Sequence, residues 1–352
     1  MSWEKNVRKV VPYTPGEQPN RSNMIKLNTN ECPYPPSPKV KEALKELDYE
    51  KFRLYPDPAA AMLTDALAEY YGLKNTEVFV GVGSDDVLAM AFMTFFNGTD
   101  PILFPDITYS FYDVWAELLK IPYKQVPLDD DFCIRIEDYM GKEPVGGIIF
   151  PNPNAPTGVL MDLESIEEIV KANPEIIVMV DEAYIDFGGV SALPLIQKYD
   201  NVLIIQTFSK SRAMAGMRIG YAMGNEKLIR YMNDVKFSFN SYTMNTPALV
   251  LGTAALQDEA YFKEIVGKIV ATRERVKKEL RELGFVFGDS KSNFIFASHP
   301  DYEAETLFQA LREKDIYVRH FKGERIKDYL RITIGTDEEM DTLIGVLKNY
   351  IK

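Results

Sequence analysis

Apolar and polar positions change their spacing twice along the chain. Up to about residue 50 they keep no period: Pro12, Pro15, Pro19, Pro33, Pro35, Pro36 and Pro38 interrupt a polar stretch that includes Asn28-Thr29-Asn30-Glu31. Residues before proline avoid the helical region, so this segment reads as an extended arm. Lys39 to Leu47 has the spacing of a short amphipathic helix, Arg53-Leu54-Tyr55-Pro56-Asp57-Pro58 breaks it, and a second helix is predicted from Ala59 to Tyr71 with Gly72 as its stop. Short apolar runs then alternate with helical spacings. Strands are predicted at Val78 to Val82, Ile102 to Phe104, Tyr123 to Val126, Gly147 to Phe150, Ile176 to Val180, Val202 to Gln206 and Met217 to Met223; helices are predicted at Asp85 to Phe96, Tyr109 to Leu119 and Leu163 to Ala172. This alternation implies an α/β unit with a mainly parallel sheet covered on both faces. After Asn245-Thr246-Pro247 the texture changes to long helical stretches as far as Leu283. Short strands near Phe285, Asn293, Ile316 and Tyr329 follow, with helices at Tyr302 to Lys314 and from Asp337. The pattern divides the chain into an arm and first part of a small domain (1–49), a large domain (50–245) and a small α+β domain (246–352).

A chain of 352 residues is long enough for this division into two cores. Forty basic against fifty-two acidic side chains give a net charge of −12, which argues against a general nucleic-acid or anionic-membrane binder. An anionic ligand must therefore be caught by a local group of arginines. Cys32 and Cys133 are the only cysteines and His299 and His320 the only histidines, so a disulfide framework, a metal centre and a serine triad all find little support. No apolar run approaches the length of a membrane span, and no secretory signal opens the chain, so a reducing cytoplasm is the expected setting.

The candidate chemistry gathers at strand ends. Thr207-Phe208-Ser209-Lys210-Ser211 leaves one predicted strand, and Arg218 leads into the next. A lysine on that turn can be kept partly desolvated, hence neutral and nucleophilic, while Thr207, Ser209 and Arg218 are placed to converge on one anion. Gly81-Val82-Gly83-Ser84-Asp85 follows a strand and opens a helix, so the N–H groups of Ser84 and Asp85 point at whatever anion sits there. Pro151-Asn152-Pro153-Asn154-Ala155-Pro156-Thr157-Gly158 is a rigid loop after another strand, and Asp181-Glu182-Ala183-Tyr184 closes a third. Arg331, in the alternating run Leu330 to Ile334, sits where an unpaired cation is costly and calls for an anion or an internal acid.

The Thr-x-Ser-Lys segment with its downstream arginine, and the spelling N-P-x-x-P-T-G from Asn152 to Gly158, together resemble the pyridoxal-phosphate aminotransferases of fold type I. The resemblance spans nearly the whole chain. It implies pyridoxal 5'-phosphate as cofactor, with Lys210, Asp181 and Tyr184 as catalytic residues. Lys210 carries the cofactor, Asp181 pairs with its ring nitrogen, and Tyr184 and Asn152 bond its ring oxygen. Tyr109 stacks on the ring; Gly83, Ser84, Asp85, Thr207, Ser209 and Arg218 hold its phosphate. Tyr55 is implied to reach the cofactor phosphate of a neighbouring subunit, hence a homodimer with shared active sites, and Arg331, Arg319, Asn30 and Tyr55 are implied to meet substrate. Family patterns often have alanine at Ser84 and glutamate at Asp86, departures that main-chain phosphate contacts tolerate. Leu27 to Glu31, Tyr55-Pro56-Asp57 and the Arg319/Arg331 pair narrow the resemblance to a branch whose amine donor carries a phosphate monoester and whose other substrate is glutamate or 2-oxoglutarate. An aromatic or broad-range aminotransferase, or a decarboxylase of a phosphorylated amino acid, uses the same cofactor residues. A non-enzymatic regulator would need a DNA-binding module, and no residues remain for one.

Overall fold

The computed structural model describes residues 2–19, 21, 23–141 and 143–351. Seven strands form the main sheet in the order Val78–Gly81, Gly220–Gly224, Val202–Thr207, Val178–Asp181, Gly147–Pro151, Ile102–Pro105, Tyr123–Val126. All neighbours run parallel except Gly220–Gly224, which is antiparallel to both of its partners. A parallel return needs a crossover of a dozen or more residues, usually helical. The link from Thr207 to Gly220 holds only a single 3-10 turn, Ala215–Met217, so the chain comes straight back.

Successive side chains of a strand point to opposite faces, and the two cores obey that rule. Val80, Ile148, Phe150, Val178, Val180, Val202 and Ile204 pack with Leu63, Leu67, Ile166 and Ile169 on one face. Phe79, Ile102, Phe104, Ile149, Met179, Leu203 and Ile205 pack with Val87, Leu88, Phe92 and Trp115 on the other. With both faces covered, these strands carry apolar residues almost continuously, which is why they read as runs rather than as alternations.

A third core lies under an antiparallel sheet ordered Arg319–His320, Tyr329–Thr333, Phe294–Ser298, Val286–Phe287, with the helices Glu259–Glu282, Ala304–Arg312 and Asp337–Tyr350 packed on it. The arm joins this unit: Ile25–Lys26 pairs in parallel with Ile316–Tyr317, and Leu27 enters its core. The residues from Asn28 to Asn30 thereby cross between the two units.

The boundary expected at residue 245 shifts. Helix Thr246–Leu256 buries Leu249, Leu251 and Leu256 in the large-sheet core, and helix Pro38–Lys45 puts Val40 there too. A helix that is apolar nearly all round is buried in the core it lies against, so loss of strand–helix alternation does not mark a domain edge. The change of core comes at Asp258, where the long helix Glu259–Glu282 begins. Among the described residues, no helix is long and apolar enough to cross a membrane.

Candidate active site

Sheet register assembles one end of the site. Gly81 pairs with Gly220, and Gly220 with Thr207, so three strands deliver the glycine turn, the Arg218 loop and the lysine loop side by side. A Cβ on Gly220 would lie 2.2 Å from both the Gly83 carbonyl carbon and the Ser84 nitrogen, so only glycine lets the turn sit there. Gly83 has φ of 85° and caps helix Ser84–Phe95, whose first N–H groups lack intrahelical partners. The Arg218 guanidinium lies against Gly83 and donates to the Asp85 carboxylate at 3.0 Å. Tyr109 donates its hydroxyl to the other Asp85 oxygen at 2.7 Å, which raises the phenol's pKa together with burial, the larger cause. Thr207 and Ser209 are buried with their hydroxyls 3.0 Å apart. The residues expected around one phosphate are thus brought together.

Asp181 ends its strand deep in the protein. The Tyr112 hydroxyl donates to it at 2.9 Å and the Ala183 N–H at 3.2 Å, and no basic side chain forms an ion pair with it among the described residues. Burial pushes its pKa up to about 6 against the lowering effect of those bonds. Lys210 follows on the next strand's exit turn; its ammonium donates to the Thr29 carbonyl at 3.1 Å and stands 5.8 Å from the centre of the Tyr184 ring.

Lys210 opens into a cavity of about 180 Å³ that is also lined by Tyr13, Tyr109, Tyr184, Arg319, Phe321 and Arg331. Arg331 lies between the Phe294 and Phe321 rings, at 5.3 and 5.6 Å, and donates to the Asn28 carbonyl at 3.0 Å. Its Nε is buried without a partner, and burial lowers the guanidinium's pKa. Arg319 stands over the same Phe321 ring at 5.7 Å. Neither arginine forms an ion pair with an acid among the described residues, so the internal salt bridge left open for Arg331 is absent.

Two expected placements change. The Asn152 amide does not face the cavity: it donates to the Met161 carbonyl at 3.0 Å and accepts from the Met161 N–H at 2.8 Å, pinning the loop. Asn154 is likewise spent on the Ile107 carbonyl and Thr157, and the loop shows the cavity only Ala155 and Pro156. Asn30 touches the cavity, but its backbone N–H and carbonyl, its Oδ1 and one N–H of its amide are bonded within the protein, so most of its hydrogen-bonding capacity is turned away from a substrate. Tyr55 lies outside its own chain's cavity, 82% exposed and stacked on Tyr242 at 4.7 Å. Sequence reasoning missed Tyr112, which opens the helix Tyr112–Leu119 three residues beyond Tyr109; its place just after a strand–loop junction that already carried a candidate was the available signal. It also missed Tyr13 of the arm, stacked on Phe111 at 4.2 Å, for which no local signal exists.

A charge map of the site tests whether pyridoxal phosphate fits. A buried carboxylate lacks a cation at the floor. A helix N-terminus and an arginine meet around a glycine turn at one side, and a lysine stands between. This is complementary to a group with a cationic ring nitrogen, an aldehyde and a phosphate.

A model of the aminotransferase class I and II family matches residues 22–347. The chain is 52% identical over 352 residues to a histidinol-phosphate aminotransferase of Lactococcus lactis subsp. cremoris (strain SK11), covering 100% of this chain and 98% of that one. It is 51% identical over 346 residues to a protein of the same name from Brachyspira hyodysenteriae (strain ATCC 49526 / WA1), covering 98% and 97%. Among solved structures, the histidinol-phosphate aminotransferase of Clostridium acetobutylicum superposes with a TM-score of 0.83 at 25% identity, covering 93% of this chain and 99% of that one. That of Sinorhizobium meliloti, in complex with pyridoxal-5'-phosphate, superposes at 0.84 with 24% identity over 93% and 91%.

Proposed function

We propose, from the premise that the chain belongs to the class I and II aminotransferases, that it moves an amino group between L-histidinol phosphate and 2-oxoglutarate, giving imidazole-acetol phosphate and L-glutamate in histidine biosynthesis. The cofactor is pyridoxal 5'-phosphate. It supplies, when bound, an aldehyde that takes up amines and a protonated ring that draws electrons from the substrate carbon.

The chain's own residues do the rest. Lys210 Nζ would hold the cofactor's aldehyde carbon and, as the amine nearest the reacting centre, would take a proton from the amine-bearing carbon as general base and return one as general acid. Asp181, whose anionic form Tyr112 and the Ala183 N–H favour, would hold the proton on the cofactor's ring nitrogen. Tyr184 would offer its hydroxyl to the cofactor's ring oxygen and Tyr109 would cover the ring, both from the cavity lining. Ser84 and Asp85 N–H groups, Thr207, Ser209 and Arg218 bind the phosphate. Arg331 and Arg319 take the distal anion, either the phosphate monoester of histidinol phosphate or the side-chain carboxylate of glutamate, because a guanidinium fork matches both oxyanions.

The observation that carries this reading is the pair of acid-free arginines across a small cavity from Lys210. Two substrates that share an amine and a distal anion, and little else, need that arrangement. The purified protein with bound cofactor should lose its visible band on addition of histidinol phosphate and regain it with 2-oxoglutarate. Faster bleaching by phenylalanine or tyrosine than by histidinol phosphate would reassign it to aromatic substrates.

The reading includes a homodimer. Tyr49, Phe52, Leu54, Tyr55, Met62, Phe237, Phe239 and Tyr242 are exposed, and the Tyr55–Tyr242 stack and a Lys236 to Pro58 carbonyl bond of 2.5 Å join their segments into one face. Exposed aromatic side chains so placed suit a partner surface. A second copy covering it brings Tyr55 to the neighbouring subunit's phosphate site. Sedimentation of wild-type protein as a monomer would remove this part of the reading. A cytoplasmic location goes with the two unpaired cysteines.

A further inference from the structure

Tyr184 is held from behind by an unusual residue. Asn30 adopts a left-handed conformation, φ of 57°, and is 1% exposed. Its Nδ2 donates to the Tyr184 hydroxyl at 2.9 Å. Its Oδ1 accepts from the Thr333 hydroxyl at 3.0 Å, its N–H donates to that same hydroxyl at 3.1 Å, and its carbonyl accepts from Asn293 Nδ2 at 3.0 Å. Thr333 and Asn293 belong to the small unit; Tyr184 follows the large-sheet strand Val178–Asp181 and packs its ring on Phe294 of the small unit.

The direction of the Tyr184 bond follows from Thr333. A hydroxyl has one proton to give. The Thr333 oxygen already accepts from the Asn30 N–H, and its proton has no acceptor but Asn30 Oδ1 among the described residues. Turning the amide over would face its NH₂ at Thr333 and leave that buried hydroxyl's proton unpaired, at the cost of a desolvated donor. The amide is therefore locked with its NH₂ toward Tyr184. An amide NH₂ accepts nothing, so the phenol must receive there and give its own proton elsewhere. No described residue takes that proton, and the ring lines the cavity. The loop bearing Asn152 supplies the cavity no amide, so this phenol has no second donor beside it from that side.

We propose that Asn30 is a positioning residue: held by Thr333, it fills an acceptor site of the Tyr184 hydroxyl and so aims the phenol's proton into the cavity, at the ring oxygen of the bound cofactor. The assignment rests on the aminotransferase reading above. A donor that itself receives a hydrogen bond is a stronger donor. It favours the anionic ring oxygen and so holds down the pH at which the bound cofactor's visible band titrates.

The test is an absorbance–pH titration of the holoenzyme. Tyr184→Phe sets the limit, an upward move of the midpoint by roughly one pH unit, the scale of one hydrogen bond to a charged group. Asn30→Ala and Thr333→Val should move it up toward that limit, Thr333→Ser should leave it in place, and Asn30→Ala added to Tyr184→Phe should move it no further. A lower melting temperature with an unmoved midpoint in Asn30→Ala would make the residue merely structural and overturn the proposal, as would additive shifts in the double variant. If Asn30→Ala fails to fold, Thr333→Val against Thr333→Ser decides alone, an equal midpoint in the two overturning it. Wild-type protein that takes up pyridoxal phosphate but gives this negative result sinks only the role of Asn30; wild-type protein that takes up none sinks the aminotransferase reading and this inference with it.

Discussion

The two walls of the cavity treat charge differently. On the large-sheet wall every charged group has a polar partner within the protein: Arg218 has Asp85, and Asp181 has Tyr112 and the Ala183 N–H. On the small-unit wall Arg331 has one carbonyl and two aromatic faces, and Arg319 one aromatic face, with no acid paired to either among the described residues. Fixed partners preorganise a wall for a ligand that stays, because little reorganises when it binds. Bare cations suit ligands that come and go, since each anion supplies the missing half of the pair. The contrast separates a resident cofactor from two alternating substrates without reference to their names.

The sharpest way to break this comparison is to remove the group between the walls. Lys210→Ala should lower turnover by more than about a thousandfold, the range of a lost base and covalent anchor, while the large-sheet wall still binds cofactor through its phosphate. Retained steady-state transamination would show that another residue moves the proton. The next largest effect belongs to the other wall. Arg331→Ala should raise KM for histidinol phosphate and for glutamate alike, by roughly a hundredfold, the loss of one charged partner. If only one KM moved, the two anions would not share a site.

The same division sets what the chain reveals before it is folded. Lys210, Asp181 and the Gly83 turn sit at strand ends, where a local motif and one apolar run locate them. The small-unit wall is made by contacts far apart in sequence: Asn30 meets Tyr184 across 154 positions, Asn293 across 263 and Thr333 across 303. No period or spacing encodes such pairs, so Asn30 read as a substrate contact when most of its hydrogen-bonding capacity is spent within the protein. Asn152 failed for a different reason. Its motif fixed a loop correctly but not which side of the loop an amide faces, and the Met161 backbone captured it. The boundary expected at residue 245 moved because a nearly all-apolar helix, Thr246–Leu256, looks like a new texture while completing the old core.

A smaller effect sharpens the account of the large-sheet wall. The Tyr112 bond lowers the Asp181 pKa against the burial that raises it to about 6. Tyr112→Phe should push the carboxyl further up, so the acid limb of the pH–rate profile should move to higher pH. Turnover at neutral pH should fall by roughly tenfold, the worth of one hydrogen bond to a charged group. An unmoved acid limb would mean that Asp181 does not govern it.

The smallest predicted effect concerns stability and shows what the preorganised wall costs. Glu182, next to Asp181, is buried and accepts from the Ser191 hydroxyl at 2.6 Å, the Ala192 N–H at 2.6 Å and Gln206 Nε2 at 2.8 Å. Burial nevertheless pushes its pKa up to about 7. A folded-state pKa above the unfolded one means that the folded protein holds more protons between the two values, so stability falls as pH rises through that window and stays lower above it. The window here runs from the ordinary glutamate range to about 7. A displacement of that size corresponds to about 3 kcal/mol at most. Glu182→Gln removes the titration but puts an amide NH₂ where Gln206 donates, losing about 1 kcal/mol of hydrogen bonding. Denaturant melts of cofactor-free protein should therefore show the variant less stable near pH 5 and closing on wild type by pH 8. Parallel stability curves would mean that Glu182 stays ionised throughout, its three donors outweighing burial.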